Sequence, residues 1–238
     1  MGDQDLFVRW AAGAAGARVW RRPGATVVAC AGLAYWDRLV MSGDPAALAG
    51  LVREVLPGLG PTYRPFGAEE LVAAVVARVP ELAVSSRFAW MDISTPVRPG
   101  GAGRAACPDG TGQPHWLGAD EWGEVAALLD ESFPDSYARP GQPGVRRWAG
   151  LRDTGGRLVA VAADAWSTRE IGFLAGVTTH PEARGRGLAA RLCGFAGDEL
   201  LAGRERVALL ADHTNTAAVA AYRKLGFSIR RVAAARQV

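Results

Sequence analysis

The stretch Val177-Thr-Thr179-His-Pro-Glu-Ala-Arg184-Gly185-Arg186-Gly187-Leu188-Ala189 runs from an apolar segment through arginines and glycines into a helical pattern. The segment before it, Glu170–Thr179, reads as a strand, and about Gly187 to Ala202 reads as an amphipathic helix stopping at Gly203. Successive backbone N–H groups of residues 185–189 then point at one spot, backed by the helix dipole, and can hold a pyrophosphate. Gly185 and Gly187 allow close approach and unusual φ. A glycine-rich strand–helix turn without a ligand is the plainer reading of the same residues.

About thirty residues on stands Asn215-Thr-Ala-Ala218-Val-Ala-Ala-Tyr222-Arg-Lys-Leu-Gly226-Phe227. Asn215 is the only asparagine of the chain and Tyr222 one of four tyrosines. They are seven residues apart, two helical turns, and share one helix face. An N-cap asparagine and a packed tyrosine would show the same spacing.

Both stretches resemble the acyl-coenzyme A site of the GNAT (N-acetyltransferase) superfamily. The family's phosphate motif is Arg or Gln, two residues, Gly, one residue, then Gly or Ala. A chain this rich in Arg, Gly and Ala matches it roughly once by chance. Arg98…Gly101…Gly103 and Arg191…Gly194…Ala196 also fit, but the first lies in a linker and the second inside a helix. Only Arg184 stands between strand and helix. The second motif, Asn-x2-Ala-x3-Tyr-x3-Gly-Phe, is far more selective.

Working outward, His115–Leu117 reads as a short strand, and Asp120 as the cap of a helix bearing Trp122, Val125, Leu128, Leu129 and Phe133. Val145–Leu151 and Leu158–Trp166 read as strands joined through Asp153-Thr-Gly-Gly156. Val207–Ala211, a helix over 215–225 and a last strand, Ser228–Ala234, complete β-α-β-β-β-α-β-α-β. The fold class is α/β (α+β). The C-terminal half resembles the GNAT fold, a mixed, mostly antiparallel sheet flanked by helices.

Residues 98–113 are rich in Gly and Pro and predict a linker between an N-terminal domain, 1–97, and the GNAT-like domain, 114–238. The N-terminal part reads as smaller and mixed α/β. It has a helix over 4–17, a hairpin turning at Arg22-Pro23-Gly24, and a short strand at Leu39–Ser42. A helix to about Leu56 follows, capped by Asp44 with Pro45 in its first turn, then a helix over 68–79 and a strand at Ser85–Ile93. It lacks a glycine-rich phosphate loop. The layout, a degenerate half before an active half, resembles the FR47-like subgroup, which includes glycine N-acyltransferase-like proteins.

The bulk numbers exclude other classes. At 238 residues and 49% hydrophobic, the chain can bury a core. Net charge +3 suits an anionic ligand, yet the arginines form no basic stripe interleaved with aromatics, so no nucleic acid is expected. Lys224 is the only lysine, which with so much Ala and Gly suggests a GC-rich, bacterial genome. Cys30, Cys107 and Cys193 share no CxxC spacing and fit a reducing cytoplasm. No apolar run reaches the ~18 residues of a membrane helix, and the N-terminus has no signal-peptide pattern. His115, His180 and His213 have no metal-ligand spacing, so no metal is expected. A homodimer remains open.

The resemblance implies acetyl-CoA as co-substrate. Backbone groups of Val177 and Thr179 would meet the pantetheine arm where this strand splays from the next, with Gly176 at a bulge. Arg184, Gly185, Arg186, Gly187, Leu188 and Ala189 would hold the pyrophosphate, and Asn215 and Tyr222 would line the site. An oxyanion-type N–H contact to the thioester oxygen would come from Leu174–Gly176. The acceptor is an amine. With a free pKa near 10.4, about one molecule in a thousand is neutral at pH 7.4, roughly 4 kcal/mol against attack. The base is Glu170, Asp164 or ordered water. Tyr222 is the candidate general acid; a phenol near 10 donating to a thiolate near 8.5 is uphill by about 2 kcal/mol.

The resemblance makes the segment Asp130-Glu131-Ser-Phe133-Pro-Asp135-Ser-Tyr137 the acceptor-side element. Three carboxylates crowd a helix C-terminus, where the macrodipole disfavours them and a cationic substrate would offset them. A solvated acidic turn is the alternative. Trp148 and Trp166 are core or pocket lining. The expected function is acetyl transfer to a small-molecule amine. The alternatives are a non-catalytic acyl-CoA sensor and a protein or peptide N-acetyltransferase.

Overall fold

The computed structural model describes residues 6–97 and 111–238. Most of the expected linker, 98–110, lies outside the described residues. The chain forms two compact units. The first comprises the described residues up to Trp90 with Ala211–Asn215 and Ile229–Val238; the second comprises Met91–Leu210 and Thr216–Ser228. The units therefore do not follow the expected division at 98–113.

The first unit opens with α1 (Leu6–Ala12), which ends early because Gly13 and Gly16, the latter at φ +74°, follow it. β1 (Arg18–Arg22) and β2 (Ala25–Leu33) form the expected hairpin, and β3 (Trp36–Gly43) pairs antiparallel with β2. α2 (Pro45–Leu59) starts at Asp44, whose carboxylate accepts from Ala46 N–H and Ala47 N–H, both at 2.9 Å. β4 (Arg64–Ala68) is a strand that the sequence hides, because Pro65 and Gly67 are poor strand residues. It runs parallel to β3. α3 (Glu69–Val76) and β5 (Leu82–Ile93) follow.

Period-2 alternation sends Val27, Leu39 and Met41 to one face, against Leu48, Val52 and Val55 of α2 and Val72 and Val75 of α3. On the other face Phe7 and Trp10 of α1 meet Trp90 edge-on at 4.9 and 5.2 Å. Asp44→Ala should lose about 1 kcal/mol of stability, read as a lower urea midpoint with unchanged slope. An unchanged midpoint would mean that the cap contributes nothing.

The second unit contains β6 (His115–Trp116), α4 (Trp122–Ser132), β7 (Val145–Arg152), β8 (Leu158–Ala165), β9 (Ile171–Thr179), α5 (Leu188–Leu201), β10 (Arg206–Asp212, through Leu210) and α6 (Thr216–Lys224). Its sheet runs β10-β9-β8-β7-β6, antiparallel except for β9 and β10. Asp120 is not the helix cap. It sits in a 3-10 turn, Ala119–Glu121, and the Glu121 carboxylate takes the Gly118 N–H at 2.7 Å. Arg152 of β7 bonds both Glu121 and Glu124 and anchors this end of α4.

The last strand, β11 (Ser228–Gln237), pairs antiparallel with β4, Val232 opposite Ala68, and so belongs to the first unit's sheet. Conversely, the end of β5 belongs to the second unit, where buried Asp92 is paired with Arg206 at 2.7 Å. From α1 to β5 and again from α4 to β11 the order is α-β-β-β-α-β-α-β. Both runs carry one parallel pair, β3/β4 and β9/β10.

Candidate functional site

β9 pairs with β10 from Ile171/Arg206 to Leu174/Leu209, and there the ladder stops, although β9 continues to Thr179 and β10 to Asp212. Against β8 the register slips: Ala163 faces Ala175 and Val161 faces Thr178, so Gly176 and Val177 together oppose Ala162. This is a β-bulge. Gly176 is its left-handed residue, at φ +58°. A Cβ there would stand 2.7 Å from the Trp148 ring and 3.2 Å from Ala138. The result is a stretch, Ala175–Thr179, whose edge toward β10 has no ladder partner. Thr179 Oγ1 is buried within it without a hydrogen bond.

The chain then enters a 3-10 turn, Pro181–Ala183, and reaches Gly187, the N-cap of α5. Gly185 and Gly187 have φ +79° and +74°, and nothing lies within 4 Å of where their Cβ atoms would be. No side chain caps α5. Its first amides, with exposed Arg184 and Arg186, form an open anion-binding end. Arg184 Nε donates to Thr179 O at 3.1 Å, tying the loop to the strand end. The residues present thus fit an acyl-CoA: an unpaired strand edge for the pantetheine amides, open glycines and helix N–H groups for the pyrophosphate.

Residues 149–235 match the family model described as FR47-like protein. This part of the chain is similar to the FR47-like family, and the fold is similar to that of GCN5-related N-acetyltransferases. The fold of the whole chain is similar to solved GNAT structures. A GCN5-related N-acetyltransferase from Kribbella flavida has 18% identity and TM-score 0.68, with 100% of this chain and 96% of that one covered. One from Sphaerobacter thermophilus has 16% identity and TM-score 0.60, with 90% and 76% covered. A tandem GNAT protein from the clavulanic acid biosynthesis pathway has 16% identity and TM-score 0.57, with 90% and 78% covered. No curated protein matches the chain.

Of the other two phosphate-motif matches, Arg191 lies inside α5, where it bonds Thr111 and Gly112 O, and Arg98 lies outside the described residues. The equivalent junction of the first unit, β3 to α2, is closed. Asp44 fills the N-terminus of α2 with the chain's own carboxylate, and Pro45 removes one amide donor. A second phosphate could not displace that carboxylate without losing the cap.

Tyr222 is the buried residue of α6, its ring 5.9 Å from Phe227. Its hydroxyl is hydrogen-bonded to the thiol of Cys193 on α5, a partner that the sequence does not mark. Burial, reinforced by Cys193, holds the phenol well above its usual value. Burial pushes the Cys193 thiol up to about 12, against a weaker lowering by Tyr222. Asn215 is exposed just before α6.

Both raised groups keep protons in the folded state that the unfolded chain releases above pH 9–10. Their contribution to stability is therefore whole below about pH 9 and is lost as pH rises through the folded values. Melting temperature should fall between about pH 9 and 11, less steeply in a Cys193→Val/Tyr222→Phe double variant. Parallel curves would show that these groups do not cause the loss.

Three of the four proposed acceptor carboxylates, Asp130, Glu131 and Asp164, have partners of their own. Asp130 is paired with Arg139. Glu131 bonds His180 at 2.9 Å and Arg157 at 3.3 Å, and His180, then Arg157, hold its carboxyl below the usual range. Asp135 is exposed. Asp164 is buried, with Arg147 Nε at 3.2 Å and the Ser167 hydroxyl at 2.5 Å. Its register partners, Arg147 and Leu174, share its face, whereas Trp148, Ala163 and Ala175 share the opposite one. Glu170 is exposed at the start of β9, four residues from Leu174, or about 13 Å along the strand. His180, buried between Glu131 and the 3-10 turn, joins the acceptor-side segment to the phosphate loop. Its only signal in the sequence is its place between the strand and the phosphate loop, because its spacing from the other histidines suits no metal.

Proposed function

We propose that this protein transfers an acetyl group from acetyl-CoA to the amine of a small molecule by direct attack. The observation that carries this reading is the end of the β9/β10 ladder at Leu174/Leu209, followed by an uncapped, glycine-lined helix N-terminus. The free edge of Ala175–Val177 offers amide groups to the pantetheine arm and the thioester oxygen. Arg184, Arg186 and the amides of 185–189 take the pyrophosphate. Trp148 and Ala138 pack against Gly176 and hold the bulge in place.

In the reaction the amine nitrogen bonds to the thioester carbon and the carbon–sulfur bond breaks. The departing sulfur takes the Tyr222 hydroxyl proton, and the proton lost by nitrogen returns to Tyr222 through water. Water is the preferred base, because Asp164 is held by Arg147 and Ser167 and Glu170 stands at the far end of β9. Glu170 would act only through a water chain.

The test is thiol release from acetyl-CoA against a panel of amino acids, polyamines, aminoglycosides and short peptides, with coenzyme binding followed by calorimetry. Release with a small amine is expected. Binding without release across the panel would favour the sensor reading. Release with peptides alone would favour a protein N-acetyltransferase. No binding would sink the proposal.

A further inference from the structure

His180 has no part in the transfer, yet it is buried beside Glu131, Arg157 and Glu182 at the entry to the phosphate loop. It is the N-cap of the 3-10 turn Pro181–Ala183, from which the chain runs on to Gly187. Its backbone is fixed on both sides: its N–H donates to Val159 O at 2.9 Å, and its carbonyl accepts from Ala183 N–H at 2.9 Å. Nδ1 accepts the Glu182 N–H at 3.3 Å. Nε2 lies 2.9 Å from Glu131 Oε1 and 2.8 Å from an Arg157 nitrogen. With Nδ1 accepting, the ring hydrogen belongs on Nε2, where the Glu131 carboxylate takes it. The opposite tautomer would let Arg157 donate to Nε2. It would also set a hydrogen against the Glu182 N–H and turn a lone pair toward a carboxylate. Arg157 has other acceptors, Glu131 Oε2 at 3.3 Å and Glu182 Oε2 at 3.6 Å. Next to Glu131, Ser132 gives its carbonyl to an Arg184 nitrogen at 3.4 Å. Two adjacent residues at the end of α4 therefore hold the loop at two points, His180 and Arg184.

We infer that Glu131 and His180 are positioning residues for the phosphate loop: the carboxylate orients the imidazole, and the imidazole caps the turn that presents the loop to the coenzyme. This rests on the reading that acyl-CoA binds at the α5 N-terminus. Glu131 then serves the coenzyme rather than the acceptor amine. Charge alone predicts the opposite sign. A carboxylate beside an anion site repels a pyrophosphate, so its removal should tighten coenzyme binding, the more so because Arg157 is released. If the carboxylate instead orients the ring, its removal should weaken binding, because affinity falls with the fraction of the loop in its binding form.

Coenzyme A affinity would be measured by calorimetric titration for wild type, Glu131→Gln, Glu131→Ala, His180→Ala, His180→Asn and the Glu131→Ala/His180→Asn double variant. Both changes at 131 remove the charge, but only glutamine keeps an oxygen that can accept from Nε2–H. Glu131→Ala should weaken binding about fivefold, whereas Glu131→Gln should stay within about twofold of wild type or bind more tightly. His180→Ala should weaken binding about tenfold, the size of a lost cap. Asparagine places an oxygen where Nδ1 stands and needs no partner at 131, so His180→Asn should bind within about threefold of wild type. In that background Glu131→Ala should cost nothing further, because the ring it orients is gone. If Glu131→Ala binds as tightly as Glu131→Gln, the carboxylate does not act on the loop, and the inference fails while the coenzyme reading stands. It fails equally if asparagine does no better than alanine at 180, since the ring then acts by filling space. The same holds if Glu131→Ala costs the same factor with asparagine at 180. If wild type binds no coenzyme A, the coenzyme reading itself fails and the inference goes with it.

Discussion

Tyr222→Phe will lower kcat by about 10²–10⁴ and leave coenzyme affinity within about twofold. The substitution removes one oxygen. The ring keeps its edge contact with Phe227, and α6 keeps its buried anchor. The coenzyme contacts proposed for β9 and the α5 N-terminus are backbone groups and the Arg184 and Arg186 side chains, which the substitution would not disturb. What disappears is the proton for the sulfur. With unperturbed groups that transfer is uphill by about 2 kcal/mol, and burial raises the phenol further. The thiol side shifts too. Cys193, a sulfur touching the same hydroxyl, is pushed up to about 12 by the same burial. A coenzyme sulfur leaving in a desolvated environment would gain basicity for the same reason, which offsets part of that cost. Thiol release under saturating acetyl-CoA, beside calorimetry with coenzyme A, reads both halves of the expectation. An unchanged kcat takes Tyr222 out of the chemistry.

The parts of this site that can be read in the chain are those fixed locally. Glycine at 185 and 187 is demanded by backbone conformation, and the apolar run before it needs no distant partner to declare itself a strand. A lone asparagine seven residues before a tyrosine is equally local. The parts that escape depend on partners distant in sequence. β4 carries Pro65 and Gly67 and makes sense only between β3 and β11. The alternation of β11 announces a strand but not that it pairs with Ala68 rather than within its own half. Asp130 and Glu131 read as charges awaiting a cationic substrate, because Arg139 and Arg157 reach them only through folding. Cys193 is 29 residues from Tyr222, and nothing in its neighbours on α5 marks it as that phenol's partner.

Gly187→Val will weaken coenzyme binding at least about a hundredfold, and Gly203→Val will not. Both glycines flank α5, one at each end, and their backbones are nearly the same, at φ +74° and +75°. Neither has an atom within 4 Å of its missing Cβ. A β-branched residue at such φ costs of order 1–3 kcal/mol, so the two variants should lose similar stability in urea titrations. Only at position 187 does the new side chain also enter the space in front of the α5 amides and disturb their convergence on an anion. Two phosphate oxygens losing charge-assisted backbone contacts is worth about 3 kcal/mol, which is the hundredfold. Calorimetric titration with coenzyme A compares the pair directly, with stability loss as the shared baseline. Equal affinity in the two variants would mean that the open end of α5 is not where the pyrophosphate sits. A loss confined to Gly187→Val would assign the anion site to this helix end by a contrast that general destabilisation cannot imitate.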